Sequence, residues 1–317
     1  MEEDERVMIE LKVTPEEEEE EEASHDPGWV WYAAEDAVKG CSASAAGSNS
    51  ALLAKLEEVV MIEEYVPDPS ELKDRDSFHT TWNTRAYLED FYTKVEDPAM
   101  RMILIFLPNL VVRLPKGGRL LDVGSGPTIH VACCFRFYKD EIYLSDYLPQ
   151  NRDELVEWWR GRSNFDWFRV CQVIAIQEGD IRGQRQMQQE ARRKVRGILS
   201  CDIFRPSVIP KWNRVQAGFD CVTTIFCVEY ACKTEEEYRQ AVANITTTVK
   251  PGGHLVMGGI LEETWCGFGG VKYTCLYLTE ECMLSSLRNA GIDTTPESGF
   301  IYYHVNGIFL VCGRKRE

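Results

Sequence analysis

Two features of the chain have the side chains and spacing of a nucleotide site. One is the run Arg119-Leu-Leu-Asp-Val-Gly-Ser-Gly-Pro-Thr128; the other is Asp146, which ends a second apolar run, Glu141-Ile-Tyr-Leu-Ser-Asp146. Gly124 and Gly126 let the backbone turn tightly and approach a ligand that any side chain would block. Asp146 follows Gly124 by 22 residues (146 − 124), where an acid ending the second strand of an α/β unit accepts from both ribose hydroxyls. The chemistry implied is recognition of an adenosine. A dinucleotide would need a third glycine where the helix begins, so that its pyrophosphate can rest on the helix N-terminus; Ile129 stands there, after Pro127 and Thr128. A ligand with an amino acid in place of phosphates needs only the open Gly-Ser-Gly turn, which points to S-adenosylmethionine. The bland alternative is an ordinary glycine turn between strand and helix.

These residues must be held by regular elements. Alternating strands at 119–124, 141–146, 170–176, 219–226 and 253–259 are expected, with helical stretches around 128–137, 150–161, 185–198 and 234–248. Such alternation is the pattern of a parallel, doubly wound sheet. Lys250-Pro-Gly-Gly-His254 reads as a turn before the fifth strand. Val271 to Tyr277, a helix near 279–290 and a closing pair around Phe300–His304 and Gly307–Cys312 follow, the last predicting an antiparallel edge. Glu229 and Glu263 come just after the fourth and fifth strands, at the carboxyl edge where such sheets bind ligands.

Charge divides the chain. Residues 1–75 hold 22 acids and 6 bases, whereas residues 76–317 hold 29 of each (51 − 22 and 35 − 6). The leader, with seven consecutive glutamates from Glu16 to Glu22, cannot bury enough surface to offset the entropy of ordering. It reads as mostly disordered, with one possible helix at 51–65, and as a solubilising tail or a dock for a basic partner. The 76–317 domain, 44% of the whole chain being apolar, has material for a sizeable core. No secretory signal and no apolar run of ~20 residues is apparent, so a cytoplasmic protein without a membrane anchor is expected. Twelve scattered cysteines without a C-x-x-C pair read as reduced thiols, and five dispersed histidines offer no metal set. A neutral domain behind an acidic leader offers nucleic acid no phosphate-binding surface.

From about Asp76 to Lys315 the chain resembles the small-molecule amine N-methyltransferases that act on phenylethanolamine, nicotinamide and indolethylamine. The likeness rests on Asn83-x-x-x-Tyr87-Leu-Glu-x-x-Tyr92, Leu121-Asp-Val-Gly-Ser-Gly-Pro-Thr-Ile129, Ser145-Asp-Tyr-x-x-x-Asn151 with Phe165-Asp-Trp167, and Phe226-Cys-Val-Glu229 with Lys250-Pro-Gly-Gly-His-Leu255. It implies a Rossmann-like methyltransferase fold: a doubly wound, mostly parallel seven-stranded α/β sheet with an antiparallel edge strand and an N-terminal helical lid over residues 76–110. S-adenosyl-L-methionine would be the methyl donor. Tyr87 and Tyr92 on the lid would donate to its carboxylate; Gly124, Ser125, Gly126 and Thr128 would cradle its amino-acid part. Asp146, Tyr147 and Asn151 would hold the ribose, and Asp202, Ile203 and Ile225 the adenine and sulfonium walls. His130 stands where these enzymes carry a tyrosine, which leaves a contact or a satisfied surface histidine equally open.

The resemblance further implies that Glu229 and Glu263 hold and deprotonate the substrate nitrogen, with Trp265 and Trp82 as aromatic walls or core. Glycine at 259 with glutamate at 263 favours an amine over a carboxamide. The expected protein is a monomer acting on a small amine by in-line methyl transfer without a metal. A nicotinamide or pyridine methyltransferase and a catalytically silent S-adenosylmethionine-binding protein are the alternatives.

Overall fold

The structure, a computed structural model, describes residues 9–10, 67–180, 183–210 and 218–317. The 51–65 helix, and most of the acidic leader, lie outside the described residues. The strands are β1 (Ile9–Glu10), β2 (Leu72–Lys73), β3 (Arg119–Val123), β4 (Glu141–Asp146), β5 (Val195–Ser200), β6 (Phe219–Ile225) and β7 (Val249–Ile260), then β8 (Trp265–Phe268), β9 (Val271–Thr274), β10 (Ile292–Asp293), β11 (Ile301–Val305) and β12 (Ile308–Lys315). The helices are α1 (Phe78–Thr81), α2 (Thr84–Tyr92), α3 (Pro98–Val111), α4 (His130–Phe135) and α5 (Pro149–Trp159), then α6 (Phe168–Glu178), α7 (Gln184–Lys194), α8 (Val228–Ala231), α9 (Glu235–Thr247) and α10 (Glu280–Asn289).

The main sheet runs β1-β5-β4-β3-β6-β7-β12-β10, with β11 also paired to β12. β5, β4, β3, β6 and β7 are parallel. Adjacent residues on a strand face opposite layers: Leu120, Ile142 and Val256 pack under α3 to α7, and Leu121, Tyr143 and Leu255 under α9 and α10. A doubly wound α/β core results. Helix starts carry the side chains that satisfy free N–H groups: Asn83 accepts from Ala86 N, Asp97 from Met100 N, Thr234 from Glu237 N and Thr279 from Cys282 N.

Several elements differ from the sequence reading. Residues 170–176 are helical, within α6. Their β-branched run suits a strand, but Val170, Cys171 and Ile174 are the buried residues, a helical spacing, and Gly179 ends the helix at φ 65°. The third parallel strand is β5, whose Val195 to Ile198 had been assigned to the end of a helix. The 250–253 turn belongs to β7, where pairing jumps from Phe219–Val249 to Cys221–His254, an irregularity that admits Pro251. The sheet has nine strands rather than seven, because the two-residue strands β1 and β10 extend it. The antiparallel strand β12 is internal, flanked by β7 on one side and β10 and β11 on the other.

A second, three-stranded sheet, β2-β9-β8, lies with α1 and α2 over the carboxyl edge. β2 pairs parallel with β9, and Arg75 reaches Glu237 with two hydrogen bonds of 2.6 and 2.8 Å, so residues 72–75 join the folded domain. Within the expected lid, α3 is core: Leu104, Leu107, Leu110 and Val111 are buried. Only α1, α2 and the start of α3 face the ligand edge.

Candidate functional site

A cavity of about 420 Å³ opens at the carboxyl ends of β3, β4 and β6. Gly124 and Gly126 leave β3 with φ of 72° and 58°, the left-handed region glycine adopts without strain. A β-carbon on Gly124 would come within 2.2 Å of Cys227 Sγ, so the turn packs against the loop after β6. One on Gly126 would meet nothing closer than 3.8 Å, because that glycine faces the cavity across from Tyr87. Ser125 N and Oγ pair with Ser145 across the strands, which fixes the turn to β4.

Asp146 ends β4 at the centre of a small network. Its Oδ2 accepts from Gly126 N at 2.8 Å, and its Oδ1 accepts from Leu148 N at 2.9 Å and Asn151 Nδ2 at 3.1 Å. A carboxylate has about four lone-pair sites, so Oδ2 keeps acceptor capacity for a ligand hydroxyl. Burial pushes its pKa up, opposed by these hydrogen bonds. Asn151 Oδ1 in turn accepts from Trp82 Nε1 at 3.0 Å and Thr84 Oγ1 at 2.8 Å. Asn151 thereby latches the lid to Asp146.

At the inner end, His130 is 5% exposed with neither ring nitrogen hydrogen-bonded. An unsatisfied buried polar atom costs about 1–3 kcal/mol, and this residue lines a space of ligand size. His130 stacks on Tyr92 at 5.9 Å and 23°, and burial alone lowers its pKa to about 4, so the imidazole is neutral near pH 7. The Tyr92 hydroxyl neighbours those of Tyr87 and Thr128, and burial pushes its pKa up. At the outer end Asp202 and Ile203 lie beside Phe204, over whose ring the Arg75 guanidinium sits at 4.3 Å.

All thirteen residues assigned to the cofactor from the sequence (Tyr87, Tyr92, Gly124, Ser125, Gly126, Thr128, His130, Asp146, Tyr147, Asn151, Asp202, Ile203 and Ile225) stand on this one wall. The buried unpartnered imidazole, the open glycine cradle and the acceptor at Asp146 fit S-adenosylmethionine.

A second cavity of about 210 Å³ adjoins it and shares Phe78, Trp82, Tyr87, Phe226 and Tyr230 with the first. Phe226, on this partition, has φ 50°, a conformation costly for a residue with a side chain and characteristic of functional turns. The second cavity is walled by aromatic rings, among them Trp265 and Phe268, and its charged residues are Asp97 and Glu263. Glu263 and Trp265, both named from the sequence, line this second cavity.

Glu229 lines neither cavity. It is 2% exposed, Oε1 accepts from Ile260 N at 3.3 Å, and burial pushes its pKa up to about 8, so it carries its proton at neutral pH. A β-carbon on Gly259 would come within 2.7 Å of that oxygen, so glycine there leaves room for the carboxyl.

Tyr230 and Asp97 were not singled out from the sequence. Tyr230 directly follows Glu229 and could have been found from that position; Asp97 reads as a helix cap before Pro98, and its place on the second cavity's wall is a tertiary fact.

The model of the NNMT/PNMT/TEMT family matches residues 70–316. Nicotinamide N-methyltransferase of Caenorhabditis elegans is 37% identical over 253 residues, covering 77% of this chain and 91% of that protein. The Sus scrofa nicotinamide N-methyltransferase is 30% identical over 256 residues, 76% of this chain and 96% of that protein. Phenylethanolamine N-methyltransferase of Macaca mulatta is 29% identical over 210 residues, 63% of this chain and 74% of that protein.

Proposed function

The chain belongs to the NNMT/PNMT/TEMT family, an S-adenosylmethionine-dependent N-methyltransferase, and from that premise we propose that its substrate is a small amine carrying an aromatic ring. The observation behind this reading is the second cavity, whose charged lining consists of the carboxylates Asp97 and Glu263 among aromatic faces. Rings and carboxylates both favour a cation over a neutral guest.

Bound at the larger cavity, S-adenosylmethionine supplies an activated methyl group for in-line transfer to a nitrogen lone pair. Gly124 to Gly126, Tyr87, Tyr92, Asp146 and Asn151 hold and orient it. Alignment is the main task, since well-oriented encounters contribute ~7–11 kcal/mol. An ammonium has no lone pair, so Glu263 attracts it and takes its proton directly or through water. Glu229, protonated behind the wall, acts at one remove: a cation in the cavity favours its ionised form, which then accepts a proton by way of water.

A nicotinamide or pyridine substrate is the second reading, supported by the Caenorhabditis elegans relative, named for nicotinamide. A pyridine nitrogen has its lone pair free and needs no base, so two carboxylates would be idle in that case. A silent S-adenosylmethionine-binding protein is a third, and any catalytic turnover removes it. Transfer of labelled methyl to a panel of aromatic ethylamines, pyridines, peptides and RNA tests these together. Amines as the best acceptors are the expected result; preference for nicotinamide would replace the amine reading.

Residues 1–66 we read as dispensable for this chemistry, because the site draws its residues from position 75 onward.

A further inference from the structure

The inner end of the large cavity, where the Gly124 to Gly126 turn faces α2, is walled by Tyr87, Tyr92, Thr128 and His130. The Tyr92 hydroxyl neighbours those of Tyr87 and Thr128, whereas both nitrogens of His130 are unpartnered although the ring is only 5% exposed. An imidazole donates from one nitrogen and accepts at the other when neutral, and donates from both when protonated. Such a group awaits a polar guest.

The guest that fits is the α-amino acid end of S-adenosylmethionine, so the inference rests on the cofactor assignment above. Its carboxylate enters a space that has hydroxyl donors but no free fixed cation. Among the described residues of that wall the basic side chains are Arg75, His79 and His130. Arg75 is occupied by Glu237 and by Ala231 O, and His79 is exposed and stacked on Tyr147 at the cavity mouth. His130 is the buried group on that wall that can become positive.

We propose that His130 takes up a proton when the amino-acid carboxylate enters, so that this protein binds its cofactor more tightly as the pH falls. Before binding, the ring is neutral because nothing near it offsets the loss of water. Titratable groups that share the cavity wall with it include Tyr87 and Tyr92 from α2 and Asp146 from β4, with Cys133 and Cys134 on its own helix, while Asp97 at the head of α3 acts on Tyr92. On the elements packed against its helix, Glu178 ending α6, Asp180 in the turn after it and Glu190 on α7 pair with the buried Arg136 just past the far end of that helix, and Cys171 and Arg192 lie by Cys133. A carboxylate beside the ring supplies the charge that these neighbours do not, and it raises the proton affinity of the complex above that of the free protein. By linkage, binding then tightens as pH falls between those two values, by up to about tenfold per pH unit.

The test is calorimetric titration of the full chain with S-adenosylhomocysteine, which keeps the amino-acid end and permits no turnover. Titrations run at pH 7.5, 6.5 and 5.5, each in two buffers of different ionisation enthalpy. Wild type is expected to bind roughly fivefold tighter at pH 5.5 than at 7.5, with net proton uptake revealed by the buffer dependence. His130→Gln, which keeps a donor and an acceptor without titrating in this range, and His130→Tyr should bind with a pH slope reduced to less than about twofold. Asp146 and His79 are intact in both variants, so the difference between the proteins isolates position 130. No proton uptake by wild type, or equal slopes in all three proteins, overturns the role of His130 while leaving the cofactor assignment standing. Absence of binding by wild type at every pH overturns both.

Discussion

The two adjoining cavities are made in different ways. The larger is built from main chain and from strand ends: a glycine turn, an acid that ends β4, and an asparagine that ties the lid to that acid. The smaller is built from side chains contributed by separate loops, by α2, by the start of α3 and by the β8–β9 hairpin, with aromatic faces and two carboxylates. A backbone cradle tolerates little variation, because each glycine answers a steric demand. A side-chain chamber can change its guest by a single substitution. The donor half is therefore common property of such a fold, and the acceptor half carries the specificity.

Substitutions can break this division. The largest effect should come from Asp146→Ala, which removes the proposed acceptor for a ribose hydroxyl and the anchor of Gly126 N and Asn151. A charge-assisted hydrogen bond contributes about 1.5–3 kcal/mol, so calorimetry should show S-adenosylhomocysteine binding weakened by at least about tenfold. Unchanged affinity would remove Asp146 from the site. Next is Trp82→Phe, which deletes the 3.0 Å indole donor to Asn151 and keeps a ring on the wall shared by both cavities. With about 1 kcal/mol at stake, cofactor affinity and amine KM should each worsen about fivefold. A change confined to the amine would mean that Asn151 does not couple the two halves.

A smaller effect concerns the carboxyl behind the partition. The folded pKa of Glu229 is raised to about 8 from the ordinary 4.5. A raised pKa gives stability that is full below the ordinary value and is lost as the pH rises toward the folded value. Wild-type melting temperature should thus fall relative to Glu229→Gln between pH 5 and pH 8. A constant difference across that range would show Glu229 to be ionised throughout. Smallest of all should be removal of residues 1–66: β2 and the Arg75–Glu237 pair remain, and both cofactor affinity and methyl transfer should stay within about twofold.

The same contrast explains what was legible in the amino-acid order. Gly124, Gly126 and Asp146 lie on contiguous strand-turn motifs, where spacing alone states the geometry, and the other residues named from the family resemblance line the same cavity. The strand over 170–176 failed because an apolar, β-branched run has no period that separates a buried helix from a strand; only the packing of Val170, Cys171 and Ile174 under the sheet decides it. Asp97 was missed for a similar reason. Its local sequence explains it fully as a cap of α3, and nothing nearby reports that it shares a cavity with β8. Glu229 was placed beside the substrate from its position after β6, but the direction of its side chain, toward Ile260 N and the space left by Gly259, is a tertiary fact.

The central claim is that the smaller cavity selects a cationic amine through Glu263 and Asp97. Its most direct measurement is the ratio of kcat/KM for an aromatic ethylamine to that for nicotinamide, in wild type, Glu263→Gln and Asp97→Asn. Each substitution keeps shape and removes charge, so the ratio should fall by about tenfold in Glu263→Gln and by several-fold in Asp97→Asn, with the nicotinamide value nearly unchanged. A wild type that prefers nicotinamide, with both substrates affected alike by the two substitutions, would contradict the claim.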